Sequence, residues 1–249
     1  MEKRIDYRIY HFHWKDWGEY ALKMVIKGIM ICYLFYDSWK AVILLLPLGV
    51  IDYKSMKKQK LEKQQRVLTL QFKNMIEALA TALSAGYSLE KGFLETRRDL
   101  KFIYPENAMI FSEINLILEG LKMNRPVEQL VKDFGERSGI DDIMNFSNVV
   151  MVAKKSGGNL VRIIQKTARS ITDKIATEEE IETMITAKKY EEKVMMIMPY
   201  GIILYLRLTN GDFFQVLYHN LLGAVLMTIF LVVIYIADLW ARRIMDIQV

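Results

Sequence analysis

The feature that most constrains this chain is a run of 25 residues, Phe213 to Ala237, that contains no Asp, Glu, Lys or Arg. Crossing the hydrocarbon core of a bilayer as a helix takes about 17–25 apolar residues. The core helix of a water-soluble protein rarely stays apolar on every face for that length. A quarter of the 249 residues are charged nonetheless, so apolar and charged residues are segregated along the chain. The run therefore predicts a membrane span.

A second apolar run, Val194 to Leu206, precedes the first and is separated from it by a polar stretch, Arg207 to Asp212. Asn210-Gly211 at the centre of that stretch is typical of a tight turn. Pro199 would weaken a soluble helix, but membrane helices tolerate proline. Together the two runs predict a transmembrane helical hairpin over residues 194–238, followed by a C-terminal tail over residues 239–249.

The N-terminal apolar run covers residues 21–53 and admits two interpretations. A single continuous helix would place Asp37 and Lys40 near the bilayer centre, at a cost of about 2.5–3.5 kcal/mol each. A break at residues 37–40 removes that cost and predicts a first transmembrane hairpin. A re-entrant or interfacial helix is the alternative. Residues 1–20 are charged and aromatic, lack the pattern of a signal peptide, and are expected to be a cytoplasmic tail.

The basic residues predict the orientation of these spans. Lysines and arginines cluster before the first run, after it, before the second hairpin and after that hairpin. With four spans, all of these clusters fall on one side of the membrane, which the positive-inside rule assigns to the cytoplasm. We therefore expect a multi-pass protein of the cell (inner) membrane, with both termini and residues 54–193 in the cytoplasm.

The segment over residues 54–193 shows helical periodicity throughout and no competing strand pattern. Gly86 is predicted to end the first amphipathic helix and Ser88 to cap the second. Gly157 and Gly158 are predicted to form the turn before the sixth helix. That helix has no breaker from Leu160 to Met198, a length of about 58 Å at about 1.5 Å per residue. The fold class expected is all-α: a cytoplasmic six-helix bundle between two transmembrane hairpins.

Three stretches resemble a known family. They are Ala85-Gly86-Tyr87-Ser88-Leu89 after an amphipathic helix, Arg125-Pro126-Val127-Glu128-Gln129-Leu130 followed by Arg137-Ser138-Gly139, and Ala153-Lys154-Lys155-Ser156-Gly157-Gly158-Asn159-Leu160. In this order and spacing, with an apolar hairpin following, they resemble the type II secretion system F domain over residues 66–199. The Gly-Gly-Asn-Leu turn resembles the TadB branch of the tight-adherence (Flp pilus) platform proteins, with the sister TadC branch as the alternative.

The resemblance implies an inner-membrane platform protein that couples a cytosolic assembly ATPase to the assembly or secretion of pilin subunits. Platform proteins of the type II system carry two copies of the domain, whereas this chain shows no internal repeat. A single copy implies completion by self-association or by a TadC-like paralogue. The expected partners are therefore the ATPase, a paralogous platform protein or a second copy, pilin subunits and membrane lipid. The other function considered is a membrane-anchored helical scaffold or signalling adaptor that recruits a cytosolic partner.

The residues point to no catalytic, cofactor or metal chemistry. Gly157-Gly158 is followed by Asn-Leu-Val rather than by the Lys and Ser/Thr of a phosphate-binding loop. Three dispersed histidines and the single cysteine, Cys32, do not make a standard zinc site. A net charge of +5 over 249 residues is modest and does not favour nucleic-acid binding. We therefore expect a protein that is not an enzyme and does not bind nucleic acid.

The most unusual charged feature is acidic. Glu178, Glu179, Glu180 and Glu182 lie within five residues on the predicted long helix. A solvated helix face is one interpretation. A docking patch for a basic surface of the ATPase or of the partner platform protein is the other, because complementary charges steer association.

Overall fold

The computed structural model describes residues 5–10, 12, 14–36, 45–155, 160–211, 218 and 220–245. Within these residues the chain contains helices and no strand, which confirms the all-α prediction. A five-residue π-helix, Cys32–Tyr36, directly follows the first helix and is called the π segment below. The helices are α1 (Trp14–Ile31), α2 (Leu45–Ser84), α3 (Leu89–Leu100), α4 (Met109–Lys122), α5 (Val127–Ser138), α6 (Asp141–Lys155), α7 (Leu160–Thr209) and α8 (Leu221–Met245).

The chain divides into two compact units. The first, called the bundle unit, consists of Met1–His11 and Lys57–Thr177. The second, called the apolar unit, consists of Phe12–Met56 and Glu178–Val249. Helices α2 and α7 each contribute residues to both units. The bundle unit ends at Thr177, and the end of the cytoplasmic domain at residue 193 stays a prediction.

The bundle unit has an ordinary apolar core built by six helical pieces, the later part of α2, helices α3 to α6, and the first part of α7. Phe72 of α2 lies at its centre, with ring centroids 6.2 Å from Phe134 and 5.6 Å from Phe146, both edge to face. Offset and edge-on arrangements are the favoured geometries for aromatic pairs. Helix α7 enters this core through one stripe of side chains, Ile164, Ala168, Ile171 and Ile175, all buried.

The end of α2 shows why Gly86 is a glycine. Its φ is +89°, in the left-handed region that side chains disfavour. The Gly86 amide donates to the Leu83 carbonyl, and the next amide, that of Tyr87, donates to the carbonyl of Ala82. These two bonds make the Schellman motif that satisfies the last carbonyls of a helix. The predictions for Gly86 and for the Ser88 cap, whose hydroxyl accepts from the Lys91 amide, are confirmed.

The start of α4 is capped from another helix. Ala108 precedes α4 and provides no side-chain cap. Instead the Oε1 atom of Gln71, on α2, accepts a hydrogen bond from the Ile110 amide at 3.0 Å. Gln71 is buried. The first amides of a helix lack partners within the helix, so a side chain 39 residues upstream does the work that a local Ser or Asp usually does.

The apolar unit has only a small core of its own, formed by Leu34, Phe35, Ile203, Met227, Leu231 and Ile234. Most of its large hydrophobic side chains are exposed instead. On α1 the exposed aliphatic side chains are Leu22, Val25, Ile26 and Ile29, and Trp14 and Trp17 are exposed as well. Helix α8 exposes a longer set that includes Leu222, Leu226, Val232, Val233 and Trp240.

One expectation about helix boundaries differs from the structure, one is confirmed and two lie outside the described residues. Helix α1 begins at Trp14, inside the stretch expected to be a tail over residues 1–20. The long sixth helix of the bundle is confirmed, and it continues through Pro199 to Thr209. The turns predicted at residues 37–40 and at Gly157-Gly158 lie outside the described residues.

Candidate functional site

The acidic cluster lies on α7, in the part of that helix assigned to the apolar unit. Glu180 is exposed, whereas Glu178, Glu179 and Glu182 are only half-exposed. Glu180 is therefore the member of the cluster most open to a partner. Nothing in the fold assigns the cluster to binding, and the docking interpretation stays a prediction.

A buried ion pair joins two helices of the bundle. Arg137 of α5 contacts Glu113 of α4 twice, Nη2 to Oε2 at 2.5 Å and Nη1 to Oε1 at 2.9 Å. The Glu113 side chain is fully buried. The Arg137 Nε atom also donates to Oδ2 of Asp133 at 3.1 Å. Burial by itself lowers the pKa of Arg137, but the hydrogen bonds and charge of Glu113, followed by those of Asp133, outweigh burial and raise this pKa.

The same arginine holds the start of the chain. The Arg137 Nη1 atom donates to the Ile5 carbonyl at 2.9 Å, and the Arg137 carbonyl accepts from the Tyr7 amide at 2.9 Å. The Tyr7 side chain is fully buried in the bundle core. Residues 5–8 are therefore an integral part of the bundle unit rather than a free tail.

The ion pair between Glu113 and Arg137 was not predicted from the sequence, although the sequence contains one signal for it. Glu113 lies three residues after Ile110 and four before Ile117, on the face of α4 that is otherwise apolar. A carboxylate on a buried face requires a cationic partner. Arg137 is part of a motif that carried the family resemblance, but the sequence alone does not say which cation pairs with Glu113.

Two open polar clefts flank α7 within the bundle unit. One, of about 680 Å³, lies along α6 and contains Asp142, Lys166 and Lys174. The Nζ atom of Lys174 contacts Oδ1 of Asp142 at 2.9 Å, so part of the cleft's charge is neutralised internally. The other, of about 390 Å³, lies along α2 and is bridged at its edge by a hydrogen bond of 2.6 Å from Gln165 to Ser84. Neither cleft contains a set of groups typical of catalysis.

Polar and aromatic side chains join the helices of the apolar unit. The Tyr36 hydroxyl shares a hydrogen bond of 2.8 Å with the Thr228 hydroxyl. The Tyr218 hydroxyl donates to the Leu34 carbonyl, within the π segment. The Arg207 guanidinium stacks on the Tyr33 ring, 3.8 Å from its centroid. Such π segments leave backbone carbonyls without their usual helical partner, and a tyrosine donor fills that need here.

A cluster of aromatic rings marks one end of α1. The Tyr53 ring stacks on that of Phe12, with centroids 5.2 Å apart, and it also contacts Trp17 and Tyr20. Nearby, Lys27 forms an ion pair with Asp52 at 2.7 Å. Tryptophan and tyrosine favour the interface between bilayer and water, so this composition is typical of the end of a membrane helix.

Only α8 meets a test for a membrane span by length and composition among the described residues, over Leu222–Ala241. Just 22% of its most apolar window is buried, whereas the core helix of a soluble protein would be mostly buried. The described residues contain no cluster of His, Cys, Asp and Glu suited to a metal ion. Cys32 is a buried free thiol.

Comparison with known proteins adds no assignment. No family model matches the chain, and no curated protein or solved structure matches it significantly. The class that the structure itself defines is an all-α protein with a packed bundle and a second unit carrying one candidate membrane span.

Proposed function

We propose that this chain is an inner-membrane platform component of a Tad (Flp) pilus or related type II-like secretion system. It couples a cytosolic assembly ATPase to the assembly or secretion of pilin subunits. The observation that carries the proposal is the pairing, in one chain, of a six-helix bundle with a unit whose apolar side chains are mostly exposed. The motifs between residues 66 and 199 that resemble the type II secretion F domain support it.

Membrane insertion accounts for the exposed apolar side chains. Contiguous apolar patches of this extent are rare on soluble monomers. The exposed residues of α1 recur at helical spacing, Leu22, Val25, Ile26 and Ile29, and those of α7 include Val194, Met198 and Ile202. We assign these faces to lipid together with α8. The proposal thus includes several spans, with both termini and the bundle in the cytoplasm.

The proposed mechanism is transmission rather than chemistry. Helices α2 and α7 have residues in both units, so a force applied to the bundle reaches the apolar unit along continuous helical backbone. Backbone hydrogen bonds within a helix make it a stiff connection. The ATPase would supply the movement, and pilin subunits would be handled at the membrane. A second copy or a paralogous platform protein would complete the assembly.

Co-purification from detergent-solubilised membranes of the native host tests the proposal. We expect an assembly ATPase and a second single-domain platform protein to be recovered and identified by mass spectrometry. Recovery of neither, under conditions that keep other membrane complexes intact, would favour the membrane-anchored scaffold or signalling adaptor.

A charge-reversal pair tests the acidic cluster within the same assay. Glu180→Lys is expected to reduce the amount of ATPase recovered with the platform protein. Glu136→Lys is the matched control, because Glu136 is also an exposed glutamate on a helix but lies on α5. Equal ATPase recovery with both variants would remove Glu180 from the interface and leave the platform assignment to the first experiment.

A further inference from the structure

One of the two clefts beside α7 carries more hydrogen-bond donors than the protein itself uses. It has a volume of about 680 Å³ and is lined by the start of α6 and the first part of α7, so it lies wholly within the bundle unit. Cavities of roughly 300–1,000 Å³ are typical of sites for small ligands. We call it the α6–α7 cleft. Its polar lining consists of Asp142, Asn145, Lys166, Thr167, Ser170 and Lys174.

Helix α7 contributes a single face to this cleft. Lys166, Ser170 and Lys174 follow one another at intervals of four residues, so they lie in a row along the helix. All three are exposed, and Thr167 lies beside them, partly buried. The α7 wall of the cleft therefore has an ammonium group towards each end and hydroxyl groups between them.

The two hydroxyls of this wall are not used within the protein. Further along α7, Thr177 and Thr183 each donate to the carbonyl four residues back, at 2.9 Å. This bond is a common way for a helical threonine to satisfy its hydroxyl. Thr167 and Ser170 make no side-chain hydrogen bond to the part of the chain that the structure describes. Both hydroxyls therefore keep their donors for a ligand in the cleft.

The charge of the lining is positive. Asp142 is only 7% exposed, and its Oδ1 atom accepts a hydrogen bond of 2.9 Å from Nζ of Lys174. This contact balances the buried carboxylate and holds one ammonium group at the cleft. Lys166 forms no ion pair with the described residues. Two lysines against one aspartate leave the lining with a net charge of +1.

We propose that the α6–α7 cleft binds the phosphate group of a small organic phosphate. A phosphate offers three strong acceptor oxygens and a charge of about −1.5 to −2. These match the two ammonium groups, the two hydroxyls and the side-chain amide of Asn145. A carboxylate has only two oxygens and would leave part of this donor set unused. The site goes beyond the platform function and does not rest on it.

Isothermal titration calorimetry of the full chain in nanodiscs of zwitterionic lipid tests the site. The probes are ADP, which represents nucleotides, and glycerol 3-phosphate, which represents a lipid headgroup. We expect saturable binding of at least one probe. Lys166→Gln should weaken it about tenfold, because a charge-assisted hydrogen bond contributes about that factor. Ser170→Ala should weaken it less, since a neutral hydrogen bond is about half as strong.

Lys91→Gln is the matched control for the loss of a positive charge. Lys91 is also an exposed lysine on a helix of the bundle unit, but it lies on α3, and it does not line the cleft. We expect this variant to bind the probes as the unmodified chain does. Equal weakening by Lys91→Gln and Lys166→Gln would show attraction to the overall charge of the protein and would overturn the site.

The preference between the probes identifies the source of the phosphate. Tighter binding of ADP would assign the cleft to a nucleotide, and tighter binding of glycerol 3-phosphate would assign it to a lipid headgroup. Saturable binding of neither probe would overturn the proposal. Tighter binding of a tetraglutamate peptide than of both probes would overturn it as well, in favour of an acidic protein segment. Failure of the platform function is distinguishable, because the titration uses the purified chain without its proposed partners.

Discussion

The two units of this chain treat their hydrophobic residues in opposite ways. In the bundle unit most of the large apolar side chains of the helices are buried or partly buried, with Phe72, Phe93, Phe134 and Phe146 fully buried. In the apolar unit most of them are exposed, and the buried set is small. Both units are helical, and both contain many large apolar residues. This difference in burial shows that an apolar face on a helix can be covered by the protein core or left exposed. Helical periodicity alone therefore does not tell which of the two applies.

Polar groups follow the same contrast. The bundle unit buries a complete ion pair, Glu113 with Arg137, and satisfies it with a third group, Asp133. The described contacts of the apolar unit include hydroxyl and ring contacts such as Tyr36 with Thr228 and Arg207 with Tyr33. Polar contacts of this kind hold helices together where hydrophobic burial gives no driving force between them.

The largest effect is expected from breaking the buried ion pair of the bundle. Glu113→Leu leaves the Arg137 guanidinium, 13% exposed, with one carboxylate in place of two. Removing one partner of a buried pair costs about 3–5 kcal/mol. We expect the free energy of unfolding of the bundle, measured from amide exchange of α4 and α5, to fall by about that amount.

The double variant Glu113→Leu/Arg137→Met is the control for that measurement. Replacing both charges by apolar groups is often close to neutral, so most of the stability should return. A double variant as unstable as Glu113→Leu would show that the cost comes from packing and not from an uncompensated charge.

The second prediction tests whether α8 of the apolar unit is surrounded by lipid or by water. Val232→Lys and Leu94→Lys place a lysine at two helix positions of similar exposure, 46% and 42%. Within a membrane span the lysine costs about 2.5–3.5 kcal/mol, whereas at a surface position in water it changes stability by about 0.5 kcal/mol or less. We expect only Val232→Lys to reduce insertion of α8, measured in membranes as loss of protection of an Ile229→Cys thiol from a water-soluble label. Equal labelling of that thiol in both variants would contradict a span at α8.

The third effect compares two glycines with open space around them. A Cβ atom at Gly86 or at Gly18 would meet nothing within 4 Å. Gly86 has a φ of +89° and ends α2, so Gly86→Ala should destabilise the bundle by about 1–2 kcal/mol. Gly18 lies inside α1, where alanine should instead stabilise the helix by about 0.5–1 kcal/mol. Thermal unfolding in detergent measures both, and the same sign for the two variants would contradict this account.

The smallest effect concerns pH and the bundle alone. A hydrogen bond from Lys154 lowers the pKa of Glu128 below its ordinary value of 4.5. The folded state then binds a proton less readily than the unfolded state, so the pair stabilises the bundle above pH 4.5 and this contribution is lost as pH falls through the lowered pKa. For a partly exposed pair it amounts to less than about 1 kcal/mol.

Two variants isolate that contribution. Glu128→Gln and Lys154→Met should each make the stability of the bundle less dependent on pH at acidic pH. Amide exchange between about pH 3 and pH 6, the range in which carboxyl groups titrate, measures this dependence. An unchanged acid limb in both variants would assign the loss of stability to other carboxylates.

The sequence predicted the bundle well where local signals decide the structure. The Ser88 cap and the Gly86 turn each follow from a few adjacent residues, and both are confirmed. The binding of residues 5–8 to Arg137 was not predicted, because Tyr7 and Arg137 are 130 positions apart and neither shows a periodic pattern. The helical start at Trp14 was missed for a related reason, since charged and aromatic residues there resemble a polar tail.

The membrane part was predicted only in outline. A long run without charged residues can be recognised from composition alone. The sequence and the structure therefore agree on one candidate span, at α8. The number of further spans depends on short runs interrupted by Asp37, Lys40 and Pro199, where composition alone does not decide. The role of the acidic cluster is also undecided by composition, because a solvated helix face and a docking patch at Glu180 have the same sequence pattern.

The capping of α4 by Gln71 has a consequence for the order in which the bundle forms. The first turn of α4 lacks a local cap and depends on a side chain of α2, so its N-terminal boundary is defined only after the two helices have met. We therefore expect the first turn of α4 to become stably helical only after α2 has docked. An isolated peptide of residues 109–122 should fray at its start in water, and NMR chemical shifts showing a fully helical first turn would contradict this order.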